Sequence, residues 1–262
     1  MGQYDYLAGL NKNLRQWGRQ AQHILFPPRS IATGQHLQGP GQIEPHIWAK
    51  LTFAGGPICH CCGQGLDPAL HFDLVAEQTC AACMAHRPVF DRARAALIYD
   101  DLSRDIILRL KYGGDRSGLN LLARWMIAAA PDMVANSTLI VPIPLHYTRL
   151  VSRGFNQSLY LAAAISRLAD KPLAAHAVKR LRATPTQAGK SANGRRRNVA
   201  GAFGVSRLGR GRLKDARIVL VDDVYTTGAT VEAVTRILRQ AGADRVDVLT
   251  LARVARPVDP TI

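Results

Sequence analysis

The stretch Val219-Leu220-Val221-Asp222-Asp223-Val224-Tyr225-Thr226-Thr227-Gly228-Ala229-Thr230 limits the fold more than any other part of the chain. The apolar run Ile218 to Val221 reads as a strand buried on both faces. Two acids follow, then small residues, then a helical pattern with Val231, Val234, Leu238 and Ala241 inward and Gly242 as its stop. A strand that passes through a short loop into a helix belongs to an α/β layer fold. The same junction is an anion site, because the first amides of a helix have no internal partner and its dipole favours negative charge. Gly228 lets the backbone approach a phosphate closely. Thr226, Thr227 and Thr230 add hydroxyl donors. Asp222 and Asp223, at the carboxyl end of the strand, are placed to accept hydrogen bonds from neighbouring sugar hydroxyls. A phosphate cradle beside paired acceptors is a template for ribose 5-phosphate. The plain alternative is a strand-turn-helix with a threonine cap and two solvated acids. The Gly-Lys-Ser/Thr string of a Walker-type loop is missing from this stretch.

The rest of the chain divides around that junction. Residues 1–57 pair a weakly amphipathic pattern (Leu7, Leu10, Leu14, Trp17, Ile24) with a Pro- and Gly-rich stretch that reads as irregular connection. Residues 58–90 carry all five cysteines. From 91 to 256, strand and helix patterns alternate, which predicts a parallel sheet flanked by helices. Helical spacing runs through 100–111, 119–130 and 156–168. Short apolar strands are expected at 138–143 and 245–251.

The cysteines have a spacing of their own. Cys59-x-x-Cys62 and Cys80-x-x-Cys83 are two knuckles that together supply four thiolates, the ligand set of a structural Zn²⁺ ribbon. Cys61 is the odd member and is expected to be a bystander. With four protein ligands the metal has no open position, so its role is structural.

Charge narrows the range of partners. Lys and Arg number 34 against 19 acids, a surplus of 15. Between Lys179 and Arg217 there are twelve basic residues and one acid, which supply eleven of that surplus. A field of this sign attracts anions, whether phosphorylated small molecules, nucleic acid or anionic lipid. No apolar run is long enough to cross a bilayer. Met1 to Gly18 contains Asp5, Lys12 and Arg15 without an apolar core, so no export signal is expected and the cytoplasm is the predicted compartment.

The junction resembles the 5-phosphoribosyl-1-diphosphate (PRPP) motif of type I phosphoribosyltransferases. Val141-Pro142-Ile143-Pro144-Leu145-His146, Arg149 and Arg153-Gly154-Phe155-Asn156-Gln157 resemble the ComF/GntX family of competence-associated, phosphoribosyltransferase-like proteins. So do Arg180, Arg182, Thr184, Gln187, Arg196, Asn198 and Gly201-Ala202-Phe203. The similarity runs in order from about 58 to about 254.

That resemblance implies a type I phosphoribosyltransferase fold with a small N-terminal zinc-ribbon module. It implies that Thr226, Thr227, Gly228, Ala229 and Thr230 bind the 5′-phosphate of PRPP. Ile143, Pro144, Leu145, His146 and Lys111 would meet the diphosphate, with Mg²⁺ between it and the ribose hydroxyls. Arg182, Gln187, Arg195 and Asn198 fall in the segment matching the family's mobile loop. Asp222, Asp223 and Arg196 are the catalytic candidates. The implied reaction replaces diphosphate at ribose C1 with a nitrogen nucleophile, through an oxocarbenium-like state that needs orientation and charge more than an acid–base pair. Many relatives carry another cysteine pair after a Phe-Pro-Pro-like string; Phe26-Pro27-Pro28 has none, so one metal site is expected. Two further classes stay open: a competence protein that handles single-stranded DNA or a helicase partner, and a PRPP-sensing regulator without turnover.

Overall fold

The computed structural model describes residues 29–37, 43–67, 78–112, 118–182 and 201–255. Its centre is a four-stranded parallel sheet of β1 (Ala93–Ile98), β2 (Leu139–Pro142), β5 (Arg217–Tyr225) and β6 (Arg245–Arg253), in the order β1-β6-β5-β2. β3 (Val178–Arg180) and β4 (Phe203–Val205) form a separate antiparallel pair.

Period-two alternation on β5 builds both faces of the core. Val219 and Val221 pack with Ile140, Leu249 and Leu251 under one set of helices. Those helices are α3 (Asp101–Tyr112), α4 (Leu119–Ala129) and α7 (Gln157–Ala169), which contribute Ile106, Leu122, Met126, Leu161 and Ile165. Ile218 and Leu220 face the other way, against Val231, Val234 and Leu238 of α9 (Ala229–Gln240). The expected three-layer α/β arrangement is therefore present, with the long apolar runs buried on both sides.

Shorter helices are α1 (Pro45–Trp48), α2 (Ala81–Ala85), α5 (Pro131–Ala135), α6 (Tyr147–Arg153) and α8 (Arg207–Leu213). α1 lies in the stretch read as irregular: Pro45 sits at its first position, where a missing N–H costs nothing. The helix read as starting at Val231 begins at Ala229, because Gly228 takes φ +80° and turns the chain directly into it. Gly242, at φ +93°, ends that helix as expected.

The topology decides where the site lies. β2 and β5 are parallel neighbours, with Pro142 opposite Val221. Their following loops leave the sheet side by side at its carboxyl edge, where open α/β sheets bind ligands. Among the described residues, no helix is long and apolar enough to cross a membrane.

Candidate functional site

A cavity of about 220 Å³ opens at that edge. Its floor is the β5–α9 junction, with Asp222, Asp223, Thr226, Gly228, Ala229 and Thr230 in its wall. The rest of the lining is Ile143 and Leu145 after β2, Lys111 at the end of α3, Gln157 at the start of α7, and Arg149, Arg153 and Arg180.

The loop has the features of an anion cradle. Gly228 precedes α9 without a side-chain cap, leaving the first helical amides facing the cavity. Its φ of +80° is natural only for glycine, and a Cβ there would lie 2.6 Å from the Tyr225 hydroxyl oxygen. Thr227 Oγ1 is buried with no hydrogen-bond partner among the described residues. Buried hydroxyls are ordinarily paired, so an unpaired one in this loop points to a missing acceptor.

The two acids are held by different partners. Asp223 is 7% exposed; its Oδ2 receives Lys111 Nζ at 2.8 Å and Gln157 Nε2 at 3.1 Å. Its Oδ1 accepts the Val224 amide at 2.8 Å. Burial works to raise its pKa, but the Lys111 ammonium and these hydrogen bonds outweigh it and hold the carboxyl below the usual range. Asp222 accepts from Ser158 Oγ at 2.8 Å and from the Asp223 amide at 3.0 Å. Burial first, and the Asp223 charge second, push it up to about 7. The pair therefore shares less than two full negative charges near neutrality, and each keeps an acceptor geometry fixed by its neighbours.

Facing them is an excess of cations. Burial, then the proximity of Arg153, lowers the Arg149 pKa; burial, then Arg149, lowers that of Arg180. An arginine stays protonated through such shifts, so three guanidinium groups crowd one wall. The Arg180 guanidinium lies 5.3 Å above the Phe203 ring, and that of Arg153 lies 5.6 Å from the Tyr112 ring. Mutually repelling cations around a cavity are relieved by a bound polyanion.

The family string after β2 builds the scaffold. Gly154 takes φ +76° and ends α6. Asn156 caps α7 by accepting the Ser158 amide, while its Nδ2 donates to the Ile143 carbonyl at 3.0 Å, tying the β2 loop to α7. Phe155 stacks on Tyr160 with ring centroids 5.3 Å apart. His146 is turned to structural use: its Nδ1 caps α6 by accepting the Thr148 amide. His146, Pro144 and Thr227 do not line the cavity. Arg182 is described, whereas Gln187, Arg195, Arg196 and Asn198 lie outside the described residues.

Three contributors escaped the sequence reading. Ser158 follows the family string, and it meets Asp222, 64 residues away, only because α7 packs beside β5. Arg180 was attached to the family pattern without a role; its place at the end of β3 makes it a wall of the cavity. Tyr225 lies within the junction motif without a role of its own there, and its place under the loop emerges only from Gly228's conformation.

The cysteines form a second centre. The sulfurs of Cys59, Cys62, Cys80 and Cys83 all lie within 4.8 Å of one another. Cys62 Sγ and Cys80 Sγ are 3.7 Å apart. A tetrahedron with metal–sulfur bonds of about 2.3 Å has edges of about 3.8 Å, so the four thiols fit such an ion. The amides of Cys62 and Cys80 point at Cys59 Sγ, at 3.5 and 3.3 Å. Gly63 turns at φ +69°, and a Cβ there would strike the Ala93 carbonyl at 2.5 Å. Cys61 is buried in this cluster but is outside the four-sulfur set.

The sheet, the loop and the cavity together define a domain of the phosphoribosyltransferase type. The phosphoribosyl transferase domain family matches residues 156–260. Competence protein F of Haemophilus influenzae is 32% identical over 202 residues, which cover 75% of this chain and 85% of that protein. DNA utilization protein YhgH of Escherichia coli is 32% identical over 212 residues, covering 79% and 88%. The chain belongs to the ComF family. Among solved structures, the purine phosphoribosyltransferase from Pyrococcus horikoshii Ot3 shares 24% identity at a TM-score of 0.33, over 50% of this chain and 72% of that one.

Proposed function

We propose that this chain binds PRPP with Mg²⁺ at the β5–α9 junction and transfers its phosphoribosyl group to a nitrogen nucleophile. The observation that carries the reading is a cavity whose wall joins the glycine-turned loop of Thr226, Gly228 and Thr230 to two acids with fixed acceptor geometry. Thr226 to Thr230 take the 5′-phosphate through main-chain amides and hydroxyls. Asp222 and Asp223 accept the two ribose hydroxyls. Ile143, Leu145 and Lys111, which line the cavity, take the diphosphate, and Mg²⁺ bound with PRPP would supply positive charge to it there.

In the transfer, the C1–O bond to diphosphate breaks and its electron pair leaves with the diphosphate. A C1–N bond forms, and the nucleophile's proton passes to solvent. Arg149, Arg153 and Arg180 face the growing charge on the leaving group, and Arg196 is assigned the same task from the segment after Arg182. The four-cysteine centre holds Zn²⁺ in a structural role. We take 58–90 as the ribbon module, 91–256 as the transferase-type domain and 1–57 as an N-terminal extension, and we place the protein in the cytoplasm.

Calorimetry with PRPP and Mg²⁺ tests the ligand: wild type should bind, and Asp223→Ala should bind at least tenfold more weakly. Diphosphate release with a panel of nitrogen nucleophiles tests turnover; PRPP binding without release against every acceptor would make the chain a PRPP sensor instead.

A second reading is favoured by the surplus of 15 positive charges and by the names of the relatives. In it, the chain handles single-stranded DNA or a helicase partner. Phosphate contacts make such binding fall steeply with salt, so an affinity for single-stranded DNA that is flat in salt would remove this reading.

A further inference from the structure

We propose that Arg253 is a positioning residue that couples occupancy of the cysteine centre to affinity at the phosphate loop. This rests on the PRPP and metal readings above and assigns the link between them. Arg253 ends β6 and is 2% exposed. Its Nη1 donates to the Cys62 carbonyl, and its Nη2 donates to Gln64 Oε1 at 2.9 Å. Both acceptors lie on the turn that presents Cys59 and Cys62. The same guanidinium lies 5.2 Å from the centre of the Tyr225 ring. Tyr225 is the last residue of β5, and its carbonyl accepts the Val254 amide at 2.9 Å. Its hydroxyl oxygen lies where a Cβ on Gly228 would be 2.6 Å away, so the phosphate loop is wrapped over the phenol. One planar side chain therefore touches the knuckle of the metal site and the floor of the anion site.

Charge explains why a cation is tolerated there. A buried guanidinium needs compensation. Among the described residues no carboxylate pairs with Arg253, and its Nε has no hydrogen-bond partner. Four thiolates around a divalent ion carry a net charge of about −2. Arg253 stands against that centre, as does Arg94, whose Nη1 donates to the His60 carbonyl at 3.0 Å. With the metal gone, the turn that offers the Cys62 carbonyl and Gln64 Oε1 is no longer pinned at its sulfurs, and the guanidinium loses its fixed acceptors. Tyr225 loses the partner on its ring face, and the loop above it loses a fixed floor. Because linkage is reciprocal, PRPP bound on that loop must stabilise the metal-loaded knuckle by the same factor.

A staple that merely joins the cysteine turns to the sheet would leave the two binding events independent, and the experiment separates the cases. The metal-loaded full chain is challenged with a colorimetric chelator, with and without saturating PRPP and Mg²⁺, and PRPP affinity is measured in parallel by calorimetry. In wild type, PRPP should raise about tenfold the chelator concentration needed to withdraw the metal at equilibrium, equivalent to a coupling of about 1.4 kcal/mol. In Arg253→Met the metal-loaded protein should bind PRPP more weakly, and release should no longer respond to it. Arg253→Lys keeps the charge without the fork and should retain part of the response. Circular dichroism checks that both variants fold. If wild type gives no PRPP heat, the ligand reading fails. If PRPP binds and metal release is unchanged, the coupling alone is overturned. If Arg253→Met and Arg253→Lys both respond like wild type, the assignment to Arg253 is overturned. The wild-type arm stands even where a variant does not fold.

Discussion

On both faces of the sheet, buried aliphatic side chains run from one edge to the other; around the cysteine turns, the packed cluster consists of the cysteines and the half-buried Leu66, among the described residues. The sheet body has enough apolar area to fold by burial. The cysteine turns do not; they lean on the sheet edge, and their four thiols are close enough together to hold a metal ion. That edge contact is specific: the Ala93 amide donates to the Cys61 carbonyl at 2.7 Å, next to Gly63, which has room for no side chain. One chain thus uses two folding strategies, and the β5–α9 loop is built on the first while touching the second through Arg253.

The largest effect should come from the metal. Structural Zn²⁺ in small modules contributes on the order of 10 kcal/mol of folding free energy, so Cys62→Ser or chelation should abolish hydrogen-exchange protection across the cysteine turns. Protection in β5 and β6 should survive; its loss would show that the two regions fold as one unit. Next, Leu220→Ala removes a wholly buried side chain from the sheet and should cost about 2–5 kcal/mol in denaturant unfolding. It should leave metal content near stoichiometric. Gly228→Val acts on the site more than on stability. Its strained φ and the Tyr225 hydroxyl in its path should weaken PRPP binding by at least about a hundredfold, near 3 kcal/mol.

The smallest effect is in the pH profile. Asp222 is held up to about 7 in the folded chain and titrates near 4 when unfolded. The folded state therefore binds the extra proton between those values, and this group's contribution to stability declines as pH rises from about 4 to about 7. Above 7 the carboxylate is ionised in both states and its burial is fully unfavourable. Asp222→Asn should melt a few degrees above wild type at pH 8 and show little gain at pH 5. Equal gains at both pH values would remove Asp222 as the titrating group. Asp223 works in the opposite sense: its lowered pKa adds stability above the unfolded value, which is lost as pH falls through the folded one.

The β5–α9 junction was legible because strand, acids, loop and helix lie consecutively, so local chemistry declares them. The four cysteines were legible for the same reason, two to a knuckle. What could not be read depends on crossings between distant segments. Gln157 meets Asp223 only because α7 packs beside β5, 66 residues away in sequence. Arg253 reaches the cysteine turn across 191 residues, and nothing in its local sequence signals a buried cation. His146 shows the converse: a histidine beside an expected diphosphate loop spends its Nδ1 on a helix cap. The alternation along 91–256 gave the parallel sheet, but its order β1-β6-β5-β2 came from packing that no single strand encodes.

The most direct test is diffraction from crystals of the full chain soaked with PRPP and Mg²⁺. The account predicts 5′-phosphate density on the amides of Thr226 to Thr230, within hydrogen-bond reach of Thr227 Oγ1, with the ribose hydroxyls on Asp222 and Asp223. Density for PRPP elsewhere on the chain, with this crevice empty, would contradict it.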